Sequence, residues 1–341
     1  MLVLLLGCQG GRNMIGLVIA PGWTYHSLGA WKQMMPNKMA LDAERGRLYF
    51  GSELSEYSNT ASVAVLDVKT GRTQVLVEGL RNVLGLHFAP DKSLWVAEGE
   101  ARGEIWRMLD PAHFPEGQRV IAQSGDSTYP GFAAFLLAGH FAHRAIAFSA
   151  DQHKAYLADT RKGGCLYRFD FVTRSLAVWH AAKGWLTVEA EDTVTMALHL
   201  GAQQFAAISD IERLPDGTLL LAESGAGRIL QLHDSVLDNG TLHHEARQPT
   251  LSTWLEKNAL RQPVDMSWDA SRGWLWITDD ATPSTLWAWD GHSLYDVVHH
   301  PVARISGVLA APDGKVYVNL QRSESTPSIT FVLNEKTTRS P

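Results

Sequence analysis

Acidic and amide side chains recur in this chain at the ends of short apolar runs: Glu53, Glu98, Asp159, Glu223, Asp279 and Asn319. Asn82, His143, Asp210, Glu212 and Asp265 stand at the starts of neighbouring runs. If such ends meet at a common axis, their carboxylates repel one another unless a cation sits among them. Hard oxygen donors, without clustered cysteine or histidine, select Ca2+ over zinc or copper. Side chains alternate along an extended strand, so only part of the set can face inward together. The other use for such residues is structural, because Asp at a turn or strand end accepts backbone N–H groups. As a set, Glu53, Glu98, Asp210, Glu212, Asp265 and Asn319 are the candidate ligands of at least one calcium ion.

The elements that must carry these residues form a repeat. An apolar strand leads through a turn rich in Pro, Asp or Gly into a second apolar strand with an acid or amide at its end, and then often a third strand. The phrase occurs at Met39 to Glu53, Val83 to Met108, Arg144 to Phe169, Ile208 to Leu232, Pro263 to Trp289 and Ile305 to Leu333. The fourth copy is the clearest, with Pro215-Asp216-Gly217 between Ile208-Ser209-Asp210-Ile211-Glu212 and Leu219-Leu220-Leu221-Ala222-Glu223. Each copy reads as a meander of three or four strands. Such a sheet cannot cover both of its faces alone, and six stacked around an axis supply the missing contacts. The expected fold is therefore an all-β, six-bladed β-propeller occupying residues 16–341. Its last blade would be closed by an N-terminal strand from Gly16-Leu17-Val18-Ile19-Ala20 or Trp23-Thr24-Tyr25-His26. Two long excursions, Asp110 to Phe141 and Gly184 to Phe205, are expected over one mouth as a lid or substrate wall.

Bulk composition supports that architecture and narrows the partners. Of 341 residues, 45% are hydrophobic, and 12 Trp, 29 Gly and 14 Pro suit many short strands joined by tight turns. The net charge of −6, without a dense Lys/Arg run, gives no footprint for nucleic acid. A small-molecule substrate is expected instead. Residues 1–15 read as a signal-like segment, in which Leu5-Leu6-Gly7-Cys8 looks like a bacterial lipobox with Cys8 as the lipid anchor. That reading places the protein in the periplasm or on the outer membrane; the alternative is a short apolar tail. Cys165, the second of two cysteines, lies in a strand-like run and reads as a buried apolar residue.

In order along the chain, several phrases resemble the PhoX-type alkaline phosphatases and their relatives. Ala20-Pro21-Gly22-Trp23-Thr24-Tyr25 is similar to that family's opening, and Val65-Leu66-Asp67-Val68-Lys69-Thr70-Gly71 to its V-L-D-x-K-T-G. Arg81-Asn82-Val83-Leu84-Gly85, Leu94-Trp95-Val96-Ala97-Glu98, Ala142-His143-Arg144-Ala145 and Ser209-Asp210-Ile211-Glu212 resemble further family motifs. So do Pro263-Val264-Asp265-Met266 and the stretch from Pro312 to Gln321. The resemblance implies an axial cluster of iron and calcium that binds phosphate esters and activates an oxygen nucleophile. Four family positions differ here: Val83 replaces the iron-binding cysteine, while Arg144, Ser209 and Gly99 replace glutamates. The loss of a thiolate argues against iron, and what remains fits a reduced site holding Ca2+.

Three functions follow from these residues. One is a calcium-dependent phosphoric-ester hydrolase with Asp210, His143 and Arg144 in catalytic roles. The second is a calcium-dependent lactonase or esterase of the gluconolactonase or strictosidine-synthase-like type. The third is a non-enzymatic propeller that binds a ligand or partner. Fold alone does not rank them.

Overall fold

The computed structural model describes residues 16–31, 34–53, 61–123, 126–189, 191–234, 237–238, 241–242, 249–321 and 327–336. The signal-like segment of residues 1–15, with Cys8, lies outside the described residues.

Six antiparallel sheets of four or more strands form the ring of a six-bladed β-propeller. Their inner strands, in ring order, are Met35–Asp42, Val83–Phe88, His143–Phe148, Ile208–Arg213, Pro263–Asp269 and Arg304–Ala310. Each packs against the inner strand of the next blade, and the sixth returns to the first. The reason the blades stack is visible in the core, which divides into six apolar clusters, one at each blade boundary. Phe148 and Trp95 join blades 2 and 3, for example, and Phe50, Tyr317 and Val332 join blades 6 and 1. Alternation along each strand sends apolar side chains to both faces, so neither face is stable unless a neighbour covers it.

Both N-terminal runs become strands, on different blades. Trp23–Trp31 pairs with Ser328–Glu335 and supplies the outer strand of blade 6, joining the two ends of the chain in one sheet. Val18–Ile19 pairs with Leu294–His300 at the outer edge of blade 5.

The two excursions leave their blades from opposite ends but meet beside blade 3, where Ala138 and Phe141 of the first share an apolar cluster with Ala197 and Ala202 of the second. The first follows a third strand, Ile105–Met108, which runs away from the end where the inner strands begin. Its segment Val120–Gln123 pairs in parallel with the outer strand of blade 1, and Phe132–Ala134 becomes the outer strand of blade 2. The second follows a fourth strand and so leaves from the opposite end. It adds Gly184–Val188 to the edge of blade 3, and then forms the α-helix Thr193–His199, the one α-helix among the described residues. Strand parity decides which end a loop leaves from, and both excursions extend blade edges. Among the described residues, no helix is long and apolar enough to cross a membrane.

One irregularity repeats in every blade. The register between first and second strands shifts by one residue near the start of the inner strand, leaving Asn37, Leu84, Arg144, Ser209, Val264 and Ser306 as bulged residues. A bulge bends the strand and re-aims the residues beside it. Here it sets the height at which side chains enter the axis.

Candidate functional site

Just past the bulges, six inner-strand residues share one tier: Lys38, Gly85, Ala145, Asp210, Asp265 and Gly307. The Lys38 ammonium is 2.7 Å from Oδ1 of Asp210 and also bonds Oδ1 of Asp265. All three side chains are buried, Asp210 least so at 12% exposure against 5% and 6%. The second oxygens face elsewhere. Oδ2 of Asp210 accepts the N–H of Met266 and Oδ2 of Asp265 that of Val308, each at 2.8 Å. These N–H groups lie on the next blade's inner strand, whose axial edge has no strand partner. The carboxylates therefore satisfy backbone donors that a propeller leaves open.

Electrostatics follow from this packing. Burial alone would push Lys38 down, but Asp210 and Asp265 overcome it and hold the lysine above its ordinary pKa. Burial pushes Asp265 up to about 7, against the pull of Lys38. One tier deeper, burial pushes Glu212 up to about 8, and its Oε1 accepts the N–H of Trp268 at 2.9 Å. On the same tier burial holds His87 down at about 4, so the imidazole is neutral at pH 7. The neutral forms of Glu212 and His87 spare the axis two unpaired charges.

Above the tier, toward the end where inner strands begin, Arg144 projects from its bulge and its Nε donates to the carbonyl of Ser209 at 3.1 Å. Burial, and then Arg304, lower its pKa, while Glu53, Asp210 and Asp265 oppose them. Arg144 thus stands between the axial trio and a second charged group at the mouth. There Arg304 bonds both oxygens of Glu53, at 2.8 and 3.1 Å, and pairs with Asp280 at 2.8 Å. Gln321 accepts from the same guanidinium at 3.3 Å. Among the described residues, the guanidinium groups of Arg144 and Arg304 face this end, and the carboxylates of Glu53 and Asp280 are both bound to Arg304.

The strand-end acids fall into three different tiers. Glu98, Asp159, Glu223 and Asp279 pair with the residue just before the bulge. Each ties down nearby backbone: Glu98 accepts the N–H groups of Arg81 and Glu104, and Asp279 accepts those of Arg261, Gln262 and Ala281. Glu53 lies one step further out, opposite Met35, and Asn319 one step further in, opposite Gly307. Asn319 is fully buried, and its Oδ1 accepts from the Thr330 hydroxyl. Its Nδ2, with both polar side-chain atoms of Asn37, is buried without a hydrogen-bond partner.

Several expectations need correction. His143 does not face the channel: it is buried against Phe141, its Nε2 lies 3.0 Å from the carbonyl of Gly139, and burial drops its pKa to about 3. It precedes the bulge and turns into the core, which rules out a catalytic contact. Glu98 is a structural brace, and Glu53 is held by Arg304. Glu212 sits below the tier of Asp210 and Asp265. Among the described residues, no group of three or more His, Cys, Asp and Glu is placed to hold a metal. The donor set does not fit the expected calcium, because the point where Asp210 and Asp265 converge is already filled by an ammonium. Residues overlooked from the sequence are Lys38, Arg304, Asp280 and Asn37. A separate cavity of about 290 Å3 lies on the flank of blade 3, lined by Arg161, Lys162, Cys165, Tyr167, Leu198 and Gln204. Burial pushes its Cys165 thiol up to about 11, so it stays protonated.

No family model and no curated protein sequence matches the chain. Solved structures do share its fold. One is a putative gluconolactonase at 11% identity, with 95% of this chain and 97% of that chain covered and a TM-score of 0.58. Another is a gluconolactonase from Xanthomonas campestris at 13% identity, covering 93% and 91%, with a TM-score of 0.55. A streptogramin B lyase aligns at 12% identity over 92% and 98%, with a TM-score of 0.51. The PhoX resemblance draws no support from these comparisons.

Proposed function

We propose that this propeller acts on a small ester or lactone held at the mouth above Arg144, and that it does so without a divalent metal. The observation that carries the reading is the Lys38–Asp210–Asp265 cluster directly beneath an arginine, at the end where inner strands begin and second strands end. Likeness in fold to a gluconolactonase, a putative gluconolactonase and a streptogramin B lyase supports the substrate class. In this reading the Arg144 guanidinium takes the carbonyl oxygen as negative charge develops on it. Asp210, fixed by Lys38 and the Met266 N–H, accepts a proton from the attacking water. The acyl C–O bond then breaks, and the proton passes to the departing alkoxide. Arg304, with Glu53 and Asp280, shapes the rim around the substrate's polar groups.

The test is a panel of aldonolactones, p-nitrophenyl acetate and p-nitrophenyl phosphate, assayed with EDTA present. The reading predicts turnover of a lactone or carboxylic ester, and a loss of about 100-fold in kcat/KM for Arg144→Ala with little change in melting temperature. Turnover of the phosphate ester alone would restore the phosphatase reading. Activity that disappears with EDTA and returns with Ca2+ would sink the metal-free one. Binding without turnover of any substrate would leave a ligand-binding propeller.

A further inference from the structure

The axial tier contains one long side chain, two short acids and three residues with almost no side chain. Gly85 and Gly307 are required to be small. A Cβ on Gly85 would lie 2.3 Å from the carbonyl oxygen of Arg144, and one on Gly307 would lie 2.1 Å from that of Asn37. Neighbouring inner strands therefore approach closely at these points, and the tier keeps a gap the width of one extended side chain. Lys38 fills it. It starts on blade 1 and crosses to Asp210 on blade 4, directly opposite, and to Asp265 on blade 5.

Each acid gives one oxygen to a backbone N–H of the next blade and turns the other to the ammonium. The two Oδ1 atoms are thus positioned by the backbone of two blades, and both meet the Lys38 ammonium. An ammonium at that point supplies one positive charge and its methylene stem occupies the gap.

We propose that Lys38 is a covalently attached axial cation, which neutralises and plugs the ring in place of a divalent ion and keeps such ions out. This concerns the cation and not the reaction, so it holds or fails independently of which substrate the mouth accepts. It also predicts that the exclusion rests on one residue. Shortening Lys38 leaves two preset carboxylate oxygens facing an emptied gap, which is a site for a hard divalent cation with water completing its shell.

The experiment compares wild type with Lys38→Ala by thermal melting and by calorimetric titration with CaCl2, NaCl of matched ionic strength serving as control. Wild type should melt at the same temperature in millimolar CaCl2 and in EDTA, and should give no binding heat. Lys38→Ala should melt lower by on the order of 10 °C, since one partner of a buried charge cluster has been removed. Millimolar CaCl2 or ethylammonium chloride should recover at least half of that loss where NaCl does not, with one Ca2+ bound per chain. One-to-one calcium binding that raises the melting temperature of wild type would overturn the proposal. So would a Lys38→Ala protein as stable as wild type, or one that no added cation stabilises. If the variant folds only when a cation is supplied, refolding in CaCl2 or ethylammonium chloride is the supporting result, and failure to refold in either is the contrary one.

Discussion

Glu212 shows how a buried acid can be read for what it costs rather than for what it does. Burial raises its pKa to about 8 from 4.5, with the nearby Asp210 and Asp265 adding to the rise. Between those two values the unfolded chain has released its proton while the folded protein keeps it. The native state then holds more protons than the unfolded one, and stability falls as pH rises through this window. Below pH 4.5 both states are protonated, and above about 8 the full cost has been incurred. Glu212→Gln keeps an oxygen for the Trp268 N–H and removes the ionisation. Its melting temperature should exceed that of wild type by about 5 °C at pH 9 and match it at pH 4.5. An equal difference at both pH values would contradict the assignment. At this scale the sequence was only partly legible. Asp210 and Asp265 stand out as acids early in inner strands, and both reach the axis. Lys38 was hidden by one residue, because a repeat begun at Met39 leaves it just outside. Aligned on Asp210-Ile211 and Asp265-Met266, the pair Lys38-Met39 takes the same place with the opposite charge.

The bulge is the element that sorts the strand ends. It advances one strand by a residue relative to its partner in every blade, so residues that look equivalent in sequence land on different tiers. Glu53, Glu98 and Asn319 read as three versions of one position, yet they sit at the mouth, at a loop brace and inside blade 6, where Asn319 accepts from Thr330. Meanders, turns and strand ends can be read from apolar runs and Pro-Asp-Gly turns. A one-residue bulge leaves no compositional mark, because its occupants range from Leu84 to Arg144. The brace makes its own prediction. Asp279 holds three backbone N–H groups, and removing its carboxylate leaves donors around Arg261 and Ala281 unsatisfied. Asp279→Ala should destabilise the protein by about 2–3 kcal/mol in denaturant unfolding, with turnover unaltered. A loss of activity without loss of stability would instead move Asp279 into the site.

At the scale of the whole molecule, the ring explains why its centre is charged. Six apolar boundaries between blades hold the sheets together, and each inner strand turns an edge of backbone donors toward the axis. Blades 4 and 5 answer those donors with carboxylates, and carboxylates that converge need a cation. The ring itself was legible from the six-fold repeat, as was closure by an N-terminal strand. The identity of the cation was not, because only the closed ring brings blade 1 across from blades 4 and 5, 172 and 227 residues away in sequence. The most direct measurement is a crystal structure of the wild-type protein grown with CaCl2, with anomalous scattering recorded at the axis. The account predicts the Lys38 ammonium within hydrogen-bonding distance of both Asp210 and Asp265, and no anomalous peak between them. A calcium peak shared by the two carboxylates, with Lys38 turned away, would contradict it.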